Sequence, residues 1–308
     1  MPAGRAGMSD TAGRDVRATE RPVVVRSLLF VPGDSEPKLA KAIASDADAL
    51  IVDLEDSVAP DAKKRARDVL RGVGGAAKPL FVRVNPFGSG ETEEDLTAAM
   101  SLAPFGLVLP KSANGAAVAR LHALLDVAEA EAGLAEGSTR ILPIATETAA
   151  ATLAAGSYAG VSTRLWGLTW GAEDLATDLG AMAKRHEDGR LREPFRFARA
   201  HCLFGAAAAG LRAVDTIFAE FRDETALRRE CHDAALDGFV AKMAIHPAQV
   251  GPINEAFTPS PEAIREARAV VEAFRAAGDP GVVALDGRML DRPHLLLARK
   301  VLARTERR

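Results

Sequence analysis

Eight short apolar runs separated by longer stretches of helical pattern constrain this chain more than any other feature of its sequence. The runs are Ser27–Val31, Ala49–Leu54, Leu80–Val84, Gly106–Leu109, Arg140–Ala145, Arg164–Thr169, Ala213–Phe218 and Phe239–Ile245. Between them lie Glu36–Ser45, Asp61–Val73, Glu93–Leu102, Ala113–Ala132, Thr148–Ala155, Phe195–Ala209 and Glu224–Leu236, and Gln249–Phe257 follows the last run. Each of these carries Ala, Leu, Glu, Lys or Arg at helix-compatible spacing. Eight buried strands, each followed by a helix, are the count of a (β/α)8 or TIM barrel, and the sequence predicts one over residues 23–258.

The ends read differently. Residues 1–22 mix Gly, Arg, Asp, Thr and Ala without periodicity, which predicts a disordered tail. Asp10, Asp15 and Glu20 argue against a transit peptide, and Met8 is a second candidate start. Beyond the barrel, Ser260 is placed as an N-cap and Pro261 at the first helical position. Residues 259–308 are expected to form a C-terminal helical lid: a helix to about Ala277, a turn at Gly278-Asp-Pro-Gly281, an apolar stretch Val282–Leu285 and a basic helix from Pro293.

Composition narrows the function. The chain has 308 residues with 39 Lys plus Arg against 42 Asp plus Glu, a formal charge of −3, and so lacks the basic surface of a nucleic-acid binder. No run approaches the ~18 apolar residues of a membrane span, and no secretory h-region opens the sequence, so a cytoplasmic protein without membrane contact is expected. Cys202 and Cys231 have no zinc or redox spacing and are expected as unpaired thiols. Gly72-Val-Gly-Gly75 follows a helix rather than a strand, so it reads as a loop and not as a dinucleotide fingerprint.

In a barrel of this kind the site is built where the strands end. Those ends are unusually polar: Pro32-Gly-Asp34, Asp53-Leu-Glu-Asp56, Arg83-Val-Asn85, Pro110-Lys111, Thr146-Glu147-Thr148, Gly171-Ala-Glu-Asp174 and His246-Pro247. Charges at the end of a buried strand are costly unless paired or liganded, which points to a charged active site. Glu147 and Asp174 follow neighbouring strands, and two carboxylates completed by water or substrate oxygens suit magnesium or manganese rather than zinc. The competing reading makes them helix caps. Arg83 is either a bidentate oxyanion clamp or the partner of Asp53 or Glu55. His246 is either a site residue or a hydrogen-bonded core histidine. Lys38 and Lys41, one turn apart near a helix start, fit either a phosphate or a solvated face. Trp166 and Trp170 read as packing.

These same segments resemble a known family. Arg26-Ser-Leu-Leu-Phe-Val-Pro-Gly-Asp34, Asp53-Leu-Glu-Asp-Ser-Val58, Val82-Arg-Val-Asn85, Leu109-Pro-Lys111, Glu147-Thr148, Gly171-Ala-Glu-Asp174 and Lys242-Met-Ala-Ile-His-Pro-Ala-Gln249 are similar to the citrate lyase beta-subunit-like branch of the HpcH/HpaI aldolase superfamily. The resemblance implies a magnesium-dependent lyase, with manganese (Mn2+) as the alternative to Mg2+, that cleaves a 3-hydroxyacyl-CoA of the citramalyl-, malyl- or citryl-CoA type into an acyl-CoA and a 2-oxo acid. It further implies Glu147 and Asp174 as metal ligands, and Arg83 on the reacting oxygens. Phe30, Lys38 and Lys41 then fall at the CoA moiety, Ile245 and His246 beside the substrate. Asp291 is implied as the acid/base on a lid donated by a neighbouring subunit of a homotrimer or homohexamer. Thr146 and Ala241 depart from the family pattern, standing where an aliphatic residue and a glycine are more usual. Two alternatives remain beside the lyase: a malyl-CoA-type thioesterase, and a non-catalytic or carrier-dependent citrate lyase beta subunit.

Overall fold

The computed structural model describes residues 24–73 and 77–305; the expected tail over residues 1–22 lies outside them, as does part of the Gly72–Gly75 loop. Eight parallel strands form one sheet: β1 (Ser27–Pro32), β2 (Ala49–Asp53), β3 (Leu80–Arg83), β4 (Gly106–Leu109), β5 (Arg140–Pro143), β6 (Gly167–Thr169), β7 (Arg212–Asp215) and β8 (Ala241–Ala244). Their order is β5-β4-β3-β2-β1-β8-β7-β6, and parallel bridges Ile141↔Leu165 and Ile144↔Thr169 close β5 onto β6. The fold is a TIM barrel.

The strand period of two explains its two cores. Leu28, Ile51, Phe81, Val108, Leu142, Val214 and Met243 point inward and fill the barrel. Leu29, Val31, Leu50, Val52, Val82 and Leu107 point outward against the helices. At the strand-start end Phe81, Phe105 and Trp166 form an edge-on aromatic plug, with Phe81 5.2 Å from each of the other two. Gly106 lies beside it because a Cβ there would stand 2.8 Å from Phe81 Cε1.

The outer layer is α1 (Glu36–Ile43), α2 (Lys63–Arg71), α3 (Thr92–Met100), α4 (Gly115–Ala132), α5 (Ala149–Leu153), α6 (Glu173–Leu179), α7 (Glu193–Ala208), α8 (Glu224–Asp237) and α9 (Val250–Ala256). Seven-residue α6 has no counterpart among the helical segments read from the pattern and enters only through the alternative in which Asp174 caps a helix. The expected strand Arg164–Thr169 is regular only from Gly167, because Arg164 is pinned outside the barrel wall by Glu129 at 2.7 Å and Asp126 at 2.6 Å. Cys202 and Cys231 are buried free thiols, as expected. Among the described residues no helix is long and apolar enough to cross a membrane.

Beyond the barrel, α10 (Pro261–Ala276), β9 (Val282–Leu285), β10 (Arg288–Asp291) and α11 (Arg292–Ala303) make an arm. Ser260 caps α10, accepting from the Ala263 N–H at 3.1 Å. The arm is not purely helical as expected: β9 and β10 pair as an antiparallel hairpin whose Asp286-Gly287 turn takes φ +49° and +74°, the signature of a two-residue turn between twisted strands. Ala267, Val270, Phe274, Val283, Leu290 and Leu295 form its own small core. The end of α11 returns to the strand-start face, where Lys300, Ala303 and Arg304 lie beside Val25, Trp166 and Arg212.

Candidate active site

Register brings the first pair together. Asp53 ends β2 directly opposite Arg83 at the end of β3, both on inward positions. Arg83 donates from Nε and Nη2 to the two Asp53 oxygens at 2.6 Å each, and Nη1 lies 2.9 Å from Glu55. Asp53 also accepts the N–H groups of Glu55 and Ser57. Burial pushes its carboxyl upward, but Arg83 outweighs burial and holds it below the ordinary range. The same partners raise Arg83 against the opposing effect of burial. Thus the internal ion pair foreseen as one reading of Arg83 is present. Of the five guanidinium N–H donors, three are engaged and two remain, so pairing orients the fork without exhausting it. Phe30, at the end of β1, lies beneath it, 5.0 Å from guanidinium carbon to ring centre.

Lys111 joins this pair to the two expected metal ligands. It has φ +49°, a left-handed backbone that costs a non-glycine residue of order 1 kcal/mol or more and is commonest at functional sites. Its N–H donates to the Glu147 carboxylate and its ammonium to Glu55, and Nζ stands 3.6 Å from both Asp56 and Asp174. Burial opposes the charge on Lys111, but these acids raise it. Sequence reading placed Lys111 at a strand end without a role. Its left-handed backbone is visible only in three dimensions.

Glu147 is 2% exposed, with burial pushing its carboxyl up to about 8; Asp174 and Glu55 add to the rise, and the Lys111 N–H only partly offsets it. Glu55 is likewise raised by burial beyond what Arg83 and Lys111 restore. Gly171 permits the close approach, since a Cβ there would be 2.7 Å from Glu147 Cγ. Neither carboxylate is a cap: Thr148 caps α5, and Ala172 occupies the cap position of α6, leaving Asp174 as the second residue of that helix.

The cluster fits a divalent cation. Asp53, Glu55, Asp56, Glu147 and Asp174 set five potential negative charges against two positive ones from Arg83 and Lys111, a deficit of three when all are ionised. Among the described residues no group of three or more His, Cys, Asp and Glu side chains is arranged to hold a metal. A pair of carboxylates with an otherwise water- or substrate-filled shell is the arrangement a hard ion such as magnesium accepts.

The remaining expected residues are distributed unevenly. Ile245 and His246 follow β8; Ile245 is 38% exposed. His246 is exposed rather than a core histidine, accepting from the Ala248 N–H and stacking on Phe221 at 4.8 Å. Lys38 and Lys41 are exposed on α1. Asp291 does not join the cluster. It caps α11 and pairs with His294 at 2.5 Å, exposed on the arm. A second buried network escaped sequence reading: Lys242, fully enclosed on the outer face of β8, lies 2.9 Å from Asp215 and from Glu230, while Trp170 Nε1 donates to Asp215 at 2.7 Å. It ties β7, β8 and α8 together behind the site.

A TIM barrel with acids, an arginine and a lysine converging where its strands end defines an enzyme-type site of the metal-assisted class. The sequence model of the HpcH/HpaI aldolase/citrate lyase family matches residues 26–247, and that of the C–C bond lyases of the TIM-barrel fold matches residues 195–307. The chain belongs to the HpcH/HpaI aldolase/citrate lyase family. It is 34% identical over 276 residues to the citrate lyase subunit beta-like protein of Mycobacterium tuberculosis, covering 90% of this chain and 94% of the relative. It is 35% identical over 287 residues to a (3S)-malyl-CoA thioesterase of Cereibacter sphaeroides, covering 91% and 94%. The structure of the M. tuberculosis protein CitE in complex with magnesium, acetoacetate and coenzyme A superposes with a TM-score of 0.75 at 34% identity, covering 91% of this chain and 98% of that one.

Proposed function

We propose that the protein is a magnesium-dependent carbon–carbon lyase that cleaves a 3-hydroxyacyl-CoA of the citramalyl-, malyl- or citryl-CoA type into an acyl-CoA and a 2-oxo acid. The observation that carries this reading is the juxtaposition of the under-neutralised carboxylates Glu147 and Asp174 with the buried, preoriented Arg83. Glu147 and Asp174 would hold the ion, which when bound supplies Lewis-acid charge to substrate oxygens. Arg83, fixed by Asp53 and Glu55, presents its two free N–H donors to the oxygen on which negative charge grows. Lys111 keeps Glu147 in place and adds positive charge at the same mouth. Phe30, Lys38, Lys41, Ile245 and His246 would receive the CoA thioester and the acyl part.

Asp291 would move the proton at the carbon freed by cleavage, acting on a neighbouring protomer of a homotrimer or homohexamer. Its own barrel is a poor target. The end of α11 lies at the strand-start face, and Asp291 stands at the opposite end of this 12-residue helix, roughly 18 Å along an arm whose core is its own. Asp291→Ala and Glu147→Ala should each be nearly inactive, and subunits mixed by unfolding and reassembly should regain activity. Mixed oligomers that form and stay inactive would remove Asp291 from this role.

The (3S)-malyl-CoA thioesterase relatives favour a second reading, in which water attacks the thioester. Incubating citramalyl-, malyl-, 3-methylmalyl- and citryl-CoA with the protein and magnesium separates the two. A 2-oxo acid with an acyl-CoA supports the lyase. Free hydroxy acid without 2-oxo acid supports the thioesterase.

A further inference from the structure

At the end of the barrel opposite the candidate active site, a cleft of about 670 Å³ opens between the strand starts, α7 and the end of α11. Four cations line it, Arg26, Arg212, Lys300 and Arg304, and no acidic residue does. Arg26 is neutralised by Asp48 at 2.7 Å. Arg212, Lys300 and Arg304 have no ion-pair partner among the described residues, in a protein where Arg67, Arg83, Arg164 and Arg199 each have two or more carboxylates.

Arg212 is half-buried, its guanidinium 5.1 Å from the centre of the Trp166 ring. Burial pushes it below its ordinary range and neighbouring Arg140 pushes it the same way; burial also lowers Arg304. Removing a cation from water without a counter-charge is unfavourable, so two such arginines on one cleft are a feature to explain rather than ordinary surface. Apolar walls complete the cleft: Leu203, Val240 and Phe257 face the same space. Its volume is in the range of small-molecule sites.

We infer that this cleft binds a small organic oxyanion, a carboxylate or phosphate, held by Arg212 and Arg304 with Lys300 at the rim and its carbon skeleton against the apolar wall. Planar guanidinium forks match such anions bidentately, and the Trp166 face beside Arg212 limits how its guanidinium can turn. The site shares no residue with the strand-end cluster. Because Lys300 and Arg304 belong to the arm and Arg212 to the barrel, an occupant ties one to the other.

Trp166 supplies the readout, since Trp170 is the only other tryptophan and is buried behind β6. The full-length protein is titrated with inorganic phosphate and, separately, with succinate, at ionic strength held constant with sodium chloride. We expect a saturable change in tryptophan fluorescence with at least one of the two, and the one that saturates identifies the anion class. Arg212→Gln and Arg304→Gln should each weaken it at least tenfold while magnesium-dependent turnover stays within twofold of wild type. Lys300→Gln, an exposed change that leaves the fold intact, should weaken it by a smaller factor. Anions binding at Arg83 instead would give a response that all three variants retain. That result, or no saturable response to either probe, overturns the inference.

Discussion

Replacing Glu147 by glutamine should make the metal-free protein more stable while removing its response to magnesium. Burial carries the carboxyl from its ordinary 4.5 to about 8, so the fold favours the neutral acid. Below about pH 4.5 the group is neutral folded and unfolded alike, and it costs nothing; as pH rises towards 8 the unfolded chain ionises and gains relative to the fold. Because pH 7 lies about 2.5 above the ordinary 4.5 and still below 8, the penalty there is on the order of 3 kcal/mol at ~1.4 kcal/mol per pH unit. Glutamine keeps a carbonyl to accept the Lys111 N–H but carries no charge, and its new amide must find a partner, so a net gain of about 1–3 kcal/mol is expected. Urea unfolding in EDTA at about pH 5 and about pH 8 measures it: the variant's advantage should be near zero at the lower pH and full at the higher. Added magnesium at ~100 times its dissociation constant should stabilise wild type by about 2.7 kcal/mol and the variant by little. A variant less stable than wild type in EDTA at the higher pH, or one that keeps the wild-type magnesium increment, would refute the placement of Glu147 as a buried ligand.

Arg83→Lys retains the charge but cannot make both 2.6 Å bonds to Asp53 and still reach Glu55, so kcat/KM should fall roughly tenfold or more, ~1.4 kcal/mol per decade; a fully active variant would reduce Arg83 to an internal ion pair. Gly171→Ala places a Cβ 2.7 Å from Glu147 Cγ, and the displaced ligand should bind magnesium about tenfold more weakly, measured by calorimetric titration; unchanged affinity would mean that Glu147 is not the ligand. Glu129 is 1% exposed, and although burial raises its carboxyl, Arg164 and the N–H groups of Thr139 and Gly137 bring it down to about 2. Its stabilisation, on the order of 3 kcal/mol, should be present above about pH 4.5 and disappear as pH falls towards 2, so Glu129→Gln should lower stability at neutral pH and converge with wild type in acid; a constant difference across that range would contradict it.

The barrel was legible because its strands are apolar on both faces and its helices are not, so that Leu50–Val52 and Phe81–Val82 stand out between charged segments. Short α6 was not, since seven residues between Gly171 and Gly180 are too few for a period to show. Glu147, Asp174 and Arg83 could be picked out because charge at the end of an apolar run is rare. What binds them could not: Asp53 meets Arg83 through strand register, and Lys111 reaches Glu147 through a left-handed backbone that its sequence context does not require. The arm's Asp286-Gly287 between two apolar stretches was a readable hairpin signal, obscured by the basic helix that follows. His246 shows the opposite case, a residue whose type suggested either chemistry or core and whose ring nitrogen accepts a capping bond from the Ala248 N–H at the rim.

The two ends of the barrel carry opposite charge imbalances. Within the chain, Arg83 and Lys111 leave the mouth short of positive charge, while Arg212, Lys300 and Arg304 leave the opposite end with an excess. On the proposed reading, both imbalances are met from outside: the mouth's by a divalent ion, the base's by an oxyanion. Distance weakens any field between the two ends, since some 15–20 Å of barrel separates them, and salt screens the part that passes through solvent over the ~8 Å Debye length. An anion at the base would therefore act mechanically, through the arm whose Asp291 serves a neighbouring protomer's mouth, and not through its field. Raising the salt concentration should weaken anion binding itself while leaving unchanged any effect on turnover at saturating anion; an effect that fades with salt at full occupancy would point to the field instead.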